Sequence, residues 1–392
     1  MSAILPARSG ALVATAATPR PRMTYAHRGS SGMAPENTAA AVELAIAEGA
    51  DYVETDVQLS ADGELVIIHD VTLARTTDAR LAFADRAPWN VHDFTLAELK
   101  KLDAGGWYDD AFSGQHILTL DDLLDLLGGR VGLNLELKAP ALNPGLAGAV
   151  AARLRRRRDW TDPHGRPRQP LVVGSFDEQT IRDFHARLPA VSVALIAYDV
   201  PASGRLTDLA EWVFSVNPDI RRLRPEDVAR VIEAGLAVVP WTVDAPELWR
   251  WALDAGVDGM ITNYPYALNN LLHGRDPLPD AAGVVVQDVV HHSPGDEPPW
   301  AGEHVVLRNV SGQPVDVSGW YLRSQSSDRV MVGDGYVIPP GGLLRVWTGP
   351  GTDDAANCHN GRAAAVWNGT KGDSAGLHRA DGAIVDLHAY LV

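Results

Sequence analysis

Glu54 and Asp56 stand two residues apart in DYVETD (51–56), and Glu136 and Lys138 stand two apart in GLNLELK (132–138). In an extended strand, residues i and i+2 share a face. Each pair therefore points one way, while Val53 and Val57 point the other. Three carboxylates brought together raise one another's pKa. A hard divalent cation, Mg²⁺ or Ca²⁺ with Mn²⁺ as a further option, relieves that strain through oxygen coordination. His27 in TYAH and His69 in LVIIHD add two imidazoles. Flanking a phosphate held at such an ion, they can serve as general base and general acid. Arg28 and Lys138 can neutralise non-bridging oxygens, and the ion itself is a Lewis acid.

These groups must be positioned by a common frame, and the pattern supplies one. From Met23 to about His273, short β-type runs alternate with Ala/Leu/Glu/Arg-rich helical stretches, which predicts a parallel sheet with crossover helices. Strands are expected to end at His27, Asp56, Lys138, Phe176, Ala197, Asn217, Val243 and Asn263. Helices are expected at Asn37–Glu48, Leu120–Leu127, Pro144–Arg158, Glu178–Leu188, Leu206–Glu211, Pro225–Ala234 and Pro246–Ala255. Eight such units match an α/β fold of the (β/α)8 TIM-barrel kind, whose active sites gather at the C-terminal strand ends. Leu65–His69 follows the second strand across Ala61-Asp62-Gly63 and is predicted to fold back antiparallel, bringing His69 roughly opposite Glu54. Residues 70–115 are then an insertion. After Arg275–Asp280 the helical pattern stops. Short Val/Leu-rich runs separated by Gly, Pro, Asn and Asp predict an all-β sandwich. The expected organisation is a flexible tail over 1–22, a barrel over 23–275, a linker over 276–283 and a sandwich over 284–392.

The motifs HRG with APENT (27–29, 34–38), ETDVQLSADGELVIIHD (54–70), ARTT (74–77), LELK (135–138), PWTVD (240–244) and ITNYP (261–265) together resemble the glycerophosphodiester phosphodiesterase family. The resemblance implies a PLC-like phosphodiesterase barrel and hydrolysis of glycerophosphodiesters to glycerol 3-phosphate and an alcohol. It assigns one divalent metal ion to Glu54, Asp56 and Glu136, and the acid/base pair to His27 and His69. Arg28 and Lys138 become phosphate contacts, and Trp241 a wall of the substrate pocket. Two departures, Leu118 for the usual Pro and Asn263 where Asp is commoner, fall on none of these residues. The C-terminal motifs, HVVLRNVSGQPVDVSGWYLRS (304–324) among them, resemble the lamin-tail domain. That domain is an immunoglobulin-like sandwich, implying a binding or targeting module for an unidentified partner and no catalytic residues.

Simpler readings compete at several positions. Glu136 and Lys138 can be a buried ion pair alone, and Trp241 can be core packing. Asn37 can be the N-cap of the first helix. The run Arg155–Arg158 reads as a solvated helix end, and the histidines and cysteine near the C-terminus fit no closed zinc set. A net charge of −16 disfavours nucleic acid as a partner. One cysteine, no apolar run long enough to span a membrane and no clear signal peptide favour a cytoplasmic over a secreted location. The rival functions are a phospholipase using the same barrel on lipid headgroups, and a non-catalytic scaffold working through the sandwich.

Overall fold

A computed structural model describes residues 22–161, 170–292 and 298–391. The tail expected over 1–22 lies outside them, apart from Arg22. Eight parallel strands form the barrel: β1 (Met23–His27), β2 (Tyr52–Leu59), β3 (Gly132–Leu137), β4 (Leu171–Ser175), β5 (Ser192–Ala197), β6 (Ser215–Pro218), β7 (Ala237–Val238) and β8 (Gly259–Thr262). They pair in chain order, and β8 returns to β1. The ring closes between β7 and β8 through Asp258 N–H to Val238 O, Ile261 N–H to Pro240 O and Val243 N–H to Ile261 O.

Alternation along the strands separates two environments. Val53, Val57, Leu133, Leu135, Leu137 and Val173 face outward and share one apolar core with helix residues such as Leu124, Val150, Phe184, Val231 and Trp249. Burying side chains of this kind is worth about 1.5–3 kcal/mol each. Inside, Tyr25 and Tyr52 stack at 4.5 Å and form a floor with Val239 and Ile261. Gly132 and Gly259 make room for that floor. A Cβ at Gly132 would stand 2.3 Å from the Tyr52 ring, and one at Gly259 2.7 Å from Tyr25.

Several element boundaries differ from the sequence expectation. Helix α1 spans Ala39–Ala47, and its N-cap is Thr38 rather than Asn37. Asn37 takes a left-handed φ of 58° one residue earlier, a conformation Asn tolerates, and turns its amide toward Asp56 at 3.4 Å. The seventh strand is regular only over Ala237–Val238, because Pro240 lacks the N–H that would continue the ladder. Trp241 rejoins the sheet as a bridge to Asp219. The helix expected at Leu206–Glu211 lies at Ser203–Leu209, and Pro265–Leu272 adds a helix that the pattern did not single out.

The antiparallel strand is Leu65–Ile67, turned back at Gly63, whose φ of 80° suits glycine. Its register pairs Val57 with Ile67. Counting on from that pair carries His69 to the level of Thr55, one residue from the expected Glu54. Residues 70–115 hold two short α-helices, Ala79–Ala82 and Leu96–Leu99, and two 3-10 turns, Val91–Asp93 and Asp110–Phe112, around a small core that includes Leu73, Phe94 and Leu102.

The C-terminal region is an all-β sandwich. One sheet orders Val284–Val290, His304–Asn309, Leu343–Trp347 and Asn357–His359. The other orders Arg329–Met331, Tyr321–Ser324, Asp373–His378 and Ile384–Tyr390. Its core includes Val305, Leu307, Leu322, Val346 and Trp367. The sandwich is seated on the barrel rather than hung from it. Leu387 enters the barrel's apolar core. Arg323, 2% exposed, packs its guanidinium 3.5 Å above the Tyr108 ring and donates to Tyr108 O. Arg329 pairs with Asp109 at 2.8 Å. Among the described residues, no helix is long and apolar enough to cross a membrane.

Candidate active site

The C-terminal ends of the strands open into a cavity of about 340 Å³, and all eight residues singled out from sequence line it. His27 ends β1, and Glu54 and Asp56 project inward from β2. Glu136 comes from β3 and Lys138 from the residue after it, and Trp241 follows β7. His69 arrives by a different route. The Gln58 amide nitrogen, buried in β2, binds the carbonyls of Ile68, His69 and Asp70 at 2.8–3.2 Å. That clasp pins the chain beyond the hairpin, so His69 is held at the mouth.

Glu54, Asp56 and Glu136 are buried, and their nearest carboxylate oxygens lie within 4.8 Å of one another. Burial together with the Asp56 and Glu136 charges pushes Glu54 well above the usual carboxylate range. Burial and Asp56 push Glu136 up to about 7. Burial opposes ionisation of Asp56 as well, but Lys138, His69 and Arg28 outweigh it and hold this group well below its ordinary value. Lys138 lies 2.9 Å from Glu136 and 3.2 Å from Asp56, so it is more than a private partner of Glu136. Arg28 adds a longer contact to Asp56 at 3.7 Å but is shared with Glu36, so the two cations do not balance three carboxylates. The remaining negative charge and the all-oxygen donor set fit a hard divalent cation.

A second acidic group, Glu36, His69 and Asp70, is also close enough to hold an ion. Here the charge is already met. Glu36 accepts from Arg28 at 2.9 Å and twice from Arg75 at 2.8 Å, and Asp70 accepts from Arg75 at 2.7 Å. Burial would raise Glu36, yet Arg28 and Arg75 bring it down to about 2. The two acidic groups therefore differ in kind, one compensated by guanidinium and the other short of positive charge.

Both imidazoles present the same nitrogen to the cavity. His69 Nδ1 faces the Asp70 carboxylate at 2.8 Å, an acceptor, so the proton sits on Nδ1 and Nε2 is left for chemistry. His27 Nδ1 lies 2.6 Å from Asn263 Oδ1. The orientation of that amide follows from its other neighbours. Asn263 Nδ2 faces two acceptors, Asp244 Oδ2 at 2.9 Å and Gln325 O at 3.1 Å, and Oδ1 accepts from Ser31 Oγ. His27 therefore also donates through Nδ1. Burial and Arg28 depress His27 to about 3, and burial and Arg28 lower His69 as well, against the opposing pull of Asp56 and Asp70. Asn263, the position where the family more often has Asp, is itself none of the residues singled out from sequence, but it contacts His27 directly.

Sequence reasoning missed the rest of the wall. Phe176 and Tyr198 directly follow β4 and β5, so the strand-end rule applied to apolar residues finds them. Phe176, Tyr198 and Trp241 form an aromatic cluster with ring centroids 5.2–5.9 Å apart. Gln325, Ser326 and Lys371 also line the cavity. They belong to the sandwich, and nothing in their local sequence announces it.

The family model described as the glycerophosphoryl diester phosphodiesterase family matches residues 27–267. The chain belongs to that family. A lamin tail domain model matches residues 277–391. Over 264 residues the chain is 32% identical to a glycerophosphodiester phosphodiesterase of Bacillus subtilis, covering 64% of this chain and 87% of that protein. A glycerophosphodiester phosphodiesterase of Caldanaerobacter subterraneus is 35% identical over 252 residues, covering 64% of this chain and 97% of that protein. A solved phosphodiesterase of Oleispira antarctica, in complex with the product sn-glycerol-3-phosphate, is 30% identical with a TM-score of 0.56. That likeness covers 65% of this chain and 97% of the solved one. Family membership makes the chain a phosphodiester hydrolase, and its barrel mouth the place to look for the reaction.

Proposed function

We propose that the protein hydrolyses glycerophosphodiesters to glycerol 3-phosphate and an alcohol, with one divalent cation held by Glu54, Asp56 and Glu136. One observation carries this reading: two histidines, each with Nδ1 committed to an acceptor, share a cavity with three carboxylates short of positive charge. The relative bearing sn-glycerol-3-phosphate supports the product assignment.

The partners of the two imidazoles divide their work. His27 leans on a neutral amide in a half-buried position beside Arg28, so its neutral form is favoured and Nε2 accepts the proton of the attacking hydroxyl. His69 leans on the Asp70 carboxylate, which opposes the lowering by burial and Arg28, so of the two imidazoles it is the better placed to carry the proton that Nε2 gives to the departing alkoxide. Arg28 and Lys138 offset the charge of the non-bridging oxygens. When bound, the cation supplies Lewis-acid stabilisation of the charge that develops on phosphorus-bound oxygen. Overall, the phosphorus–oxygen bond to the alcohol breaks, an oxygen from water ends on phosphorus, and the alcohol takes up the proton.

The test is a panel of soluble glycerophosphodiesters assayed with Mg²⁺, Mn²⁺ and Ca²⁺, following glycerol 3-phosphate release. Release with at least one cation is expected. Absence of cleavage with every cation would favour the scaffold reading, and faster cleavage of choline lipids in micelles would move the substrate to lipid headgroups.

A further inference from the structure

We infer that Lys371, contributed by the sandwich, reads the alcohol portion of the substrate and selects alcohols that carry an anionic group; the inference rests on the diesterase reading above. The cavity has two chemically distinct ends. The carboxylates, histidines, Arg28 and Lys138 occupy one, at the adjoining strands β1 to β3 and the hairpin of β2. The aromatic trio of Phe176, Tyr198 and Trp241 occupies the other, where Phe176 is 39% and Tyr198 47% exposed. The phosphorus must sit with the first group, so one substituent of the diester extends toward the aromatic end.

An aromatic cluster alone would suit a quaternary ammonium group, which binds ring faces. Here that role is already taken. The Lys371 ammonium lies 5.7 Å from the Tyr198 ring centroid and lines the same cavity. Arg221, the other cation at this end, is held by Asp219 through contacts of 2.8 and 2.6 Å. Lys371 has no carboxylate partner among the described residues. An unpaired ammonium repels a substrate cation and attracts an anion at close range. The aromatic faces then pack the carbon skeleton between the two charged ends.

Lys371 is not on a loose loop. Asn368 Oδ1 accepts from the backbone N–H groups of both Thr370 and Lys371, and Asn368 N–H donates to the buried Asp373. Gly372, at φ 80°, lies so near Tyr390 O that a Cβ would come within 2.4 Å. The turn carrying Gln325 and Ser326 is anchored to the barrel through Gln325 O to Asn263 and Ser327 Oγ to Ser31 O. Both loops are thus fixed over the mouth.

Glycerophosphoserine and glycerophosphoethanolamine differ by one carboxylate and form a matched pair, with glycerophosphocholine as the permanent cation. In the full-length enzyme, kcat/KM is expected to favour glycerophosphoserine over glycerophosphoethanolamine by roughly three- to tenfold. K371A should bring that ratio close to one, and K371E should invert it and raise the relative rate on glycerophosphocholine. A ratio unchanged by both substitutions overturns the inference, as does an equal loss on all three substrates. If the wild-type enzyme cleaves none of them, the diesterase reading fails instead. Calorimetric binding of glycerophosphoserine and glycerophosphoethanolamine to wild type and K371A then still reads the lysine, and equal discrimination by the two proteins overturns it.

Discussion

Asn263 lies with its Oδ1 2.6 Å from Nδ1 of His27 and its Nδ2 2.9 Å from Oδ2 of Asp244. A neutral amide thus stands between a half-buried imidazole and a buried carboxylate, and its two ends cannot be exchanged without placing donor against donor. Because Asp244 also accepts from Ser374 and Gln325 of the sandwich, the orientation of His27 is linked to the seam between the two folds.

Exchanging the two groups tests that arrangement. N263D alone sets two carboxylates against each other and is expected to lower kcat/KM by about ten- to a hundredfold and to reduce Tm. D244N/N263D restores one amide and one carboxylate, and should recover much of both. It also moves the carboxylate onto His27, which favours the imidazolium, so the acidic limb of the kcat/KM profile should shift to higher pH. A limb that stays in place would remove His27 from the role of base.

H27A and H69A are each expected to lower kcat by at least about a hundredfold while leaving the far-ultraviolet circular dichroism spectrum unchanged. Substantial turnover in either variant would remove that histidine from the acid/base pair.

Metal binding should release protons. Glu54 lies well above its ordinary value and Glu136 at about 7, so below that pH a cation must displace a proton to bind. Affinity for Mg²⁺ or Mn²⁺ should therefore fall as pH drops below about 7. Calorimetry in two buffers of different ionisation heat should show proton release, and E136Q should reduce both the release and the affinity. For E54A, activity and metal dependence should disappear together. An unchanged metal titration would contradict the ligand role.

Glu48 gives a signal away from the proposed catalytic groups. Burial raises this carboxyl to about 7, against its hydrogen bond from Ser30 Oγ. A raised carboxyl stabilises the fold fully below the unfolded pKa of about 4.5, and the contribution is lost as pH climbs through the folded value. Between about pH 4.5 and 7, E48Q should flatten a decline in unfolding free energy of order 1–3 kcal/mol. Parallel wild-type and E48Q curves in urea would contradict it.

The barrel was legible because its chemistry sits on strands, where a period of two ties residue type to direction. Glu54, Asp56, Glu136 and Lys138 could be placed that way, and Gly63 marked the turn that returns His69. What stayed hidden depends on partners distant in the chain. Asn263 meets His27 across 236 residues, and Lys371 reaches Tyr198 from a different fold. Cap identity at Thr38 was missed for a local reason, since Asn37 and Thr38 are both good caps and only the left-handed backbone at Asn37 decides between them.

The seating of the sandwich on the strand ends has a consequence for how this enzyme differs from its kin. The relative from Caldanaerobacter subterraneus is matched over 97% of its length by 252 residues, which leaves it no room for such a neighbour. Here part of the rim is furnished by Gln325, Ser326 and Lys371. The groups proposed to react and the groups proposed to screen incoming molecules thus sit on two different folds, so appetite can be retuned at the overhang while the eight-stranded hearth is left alone.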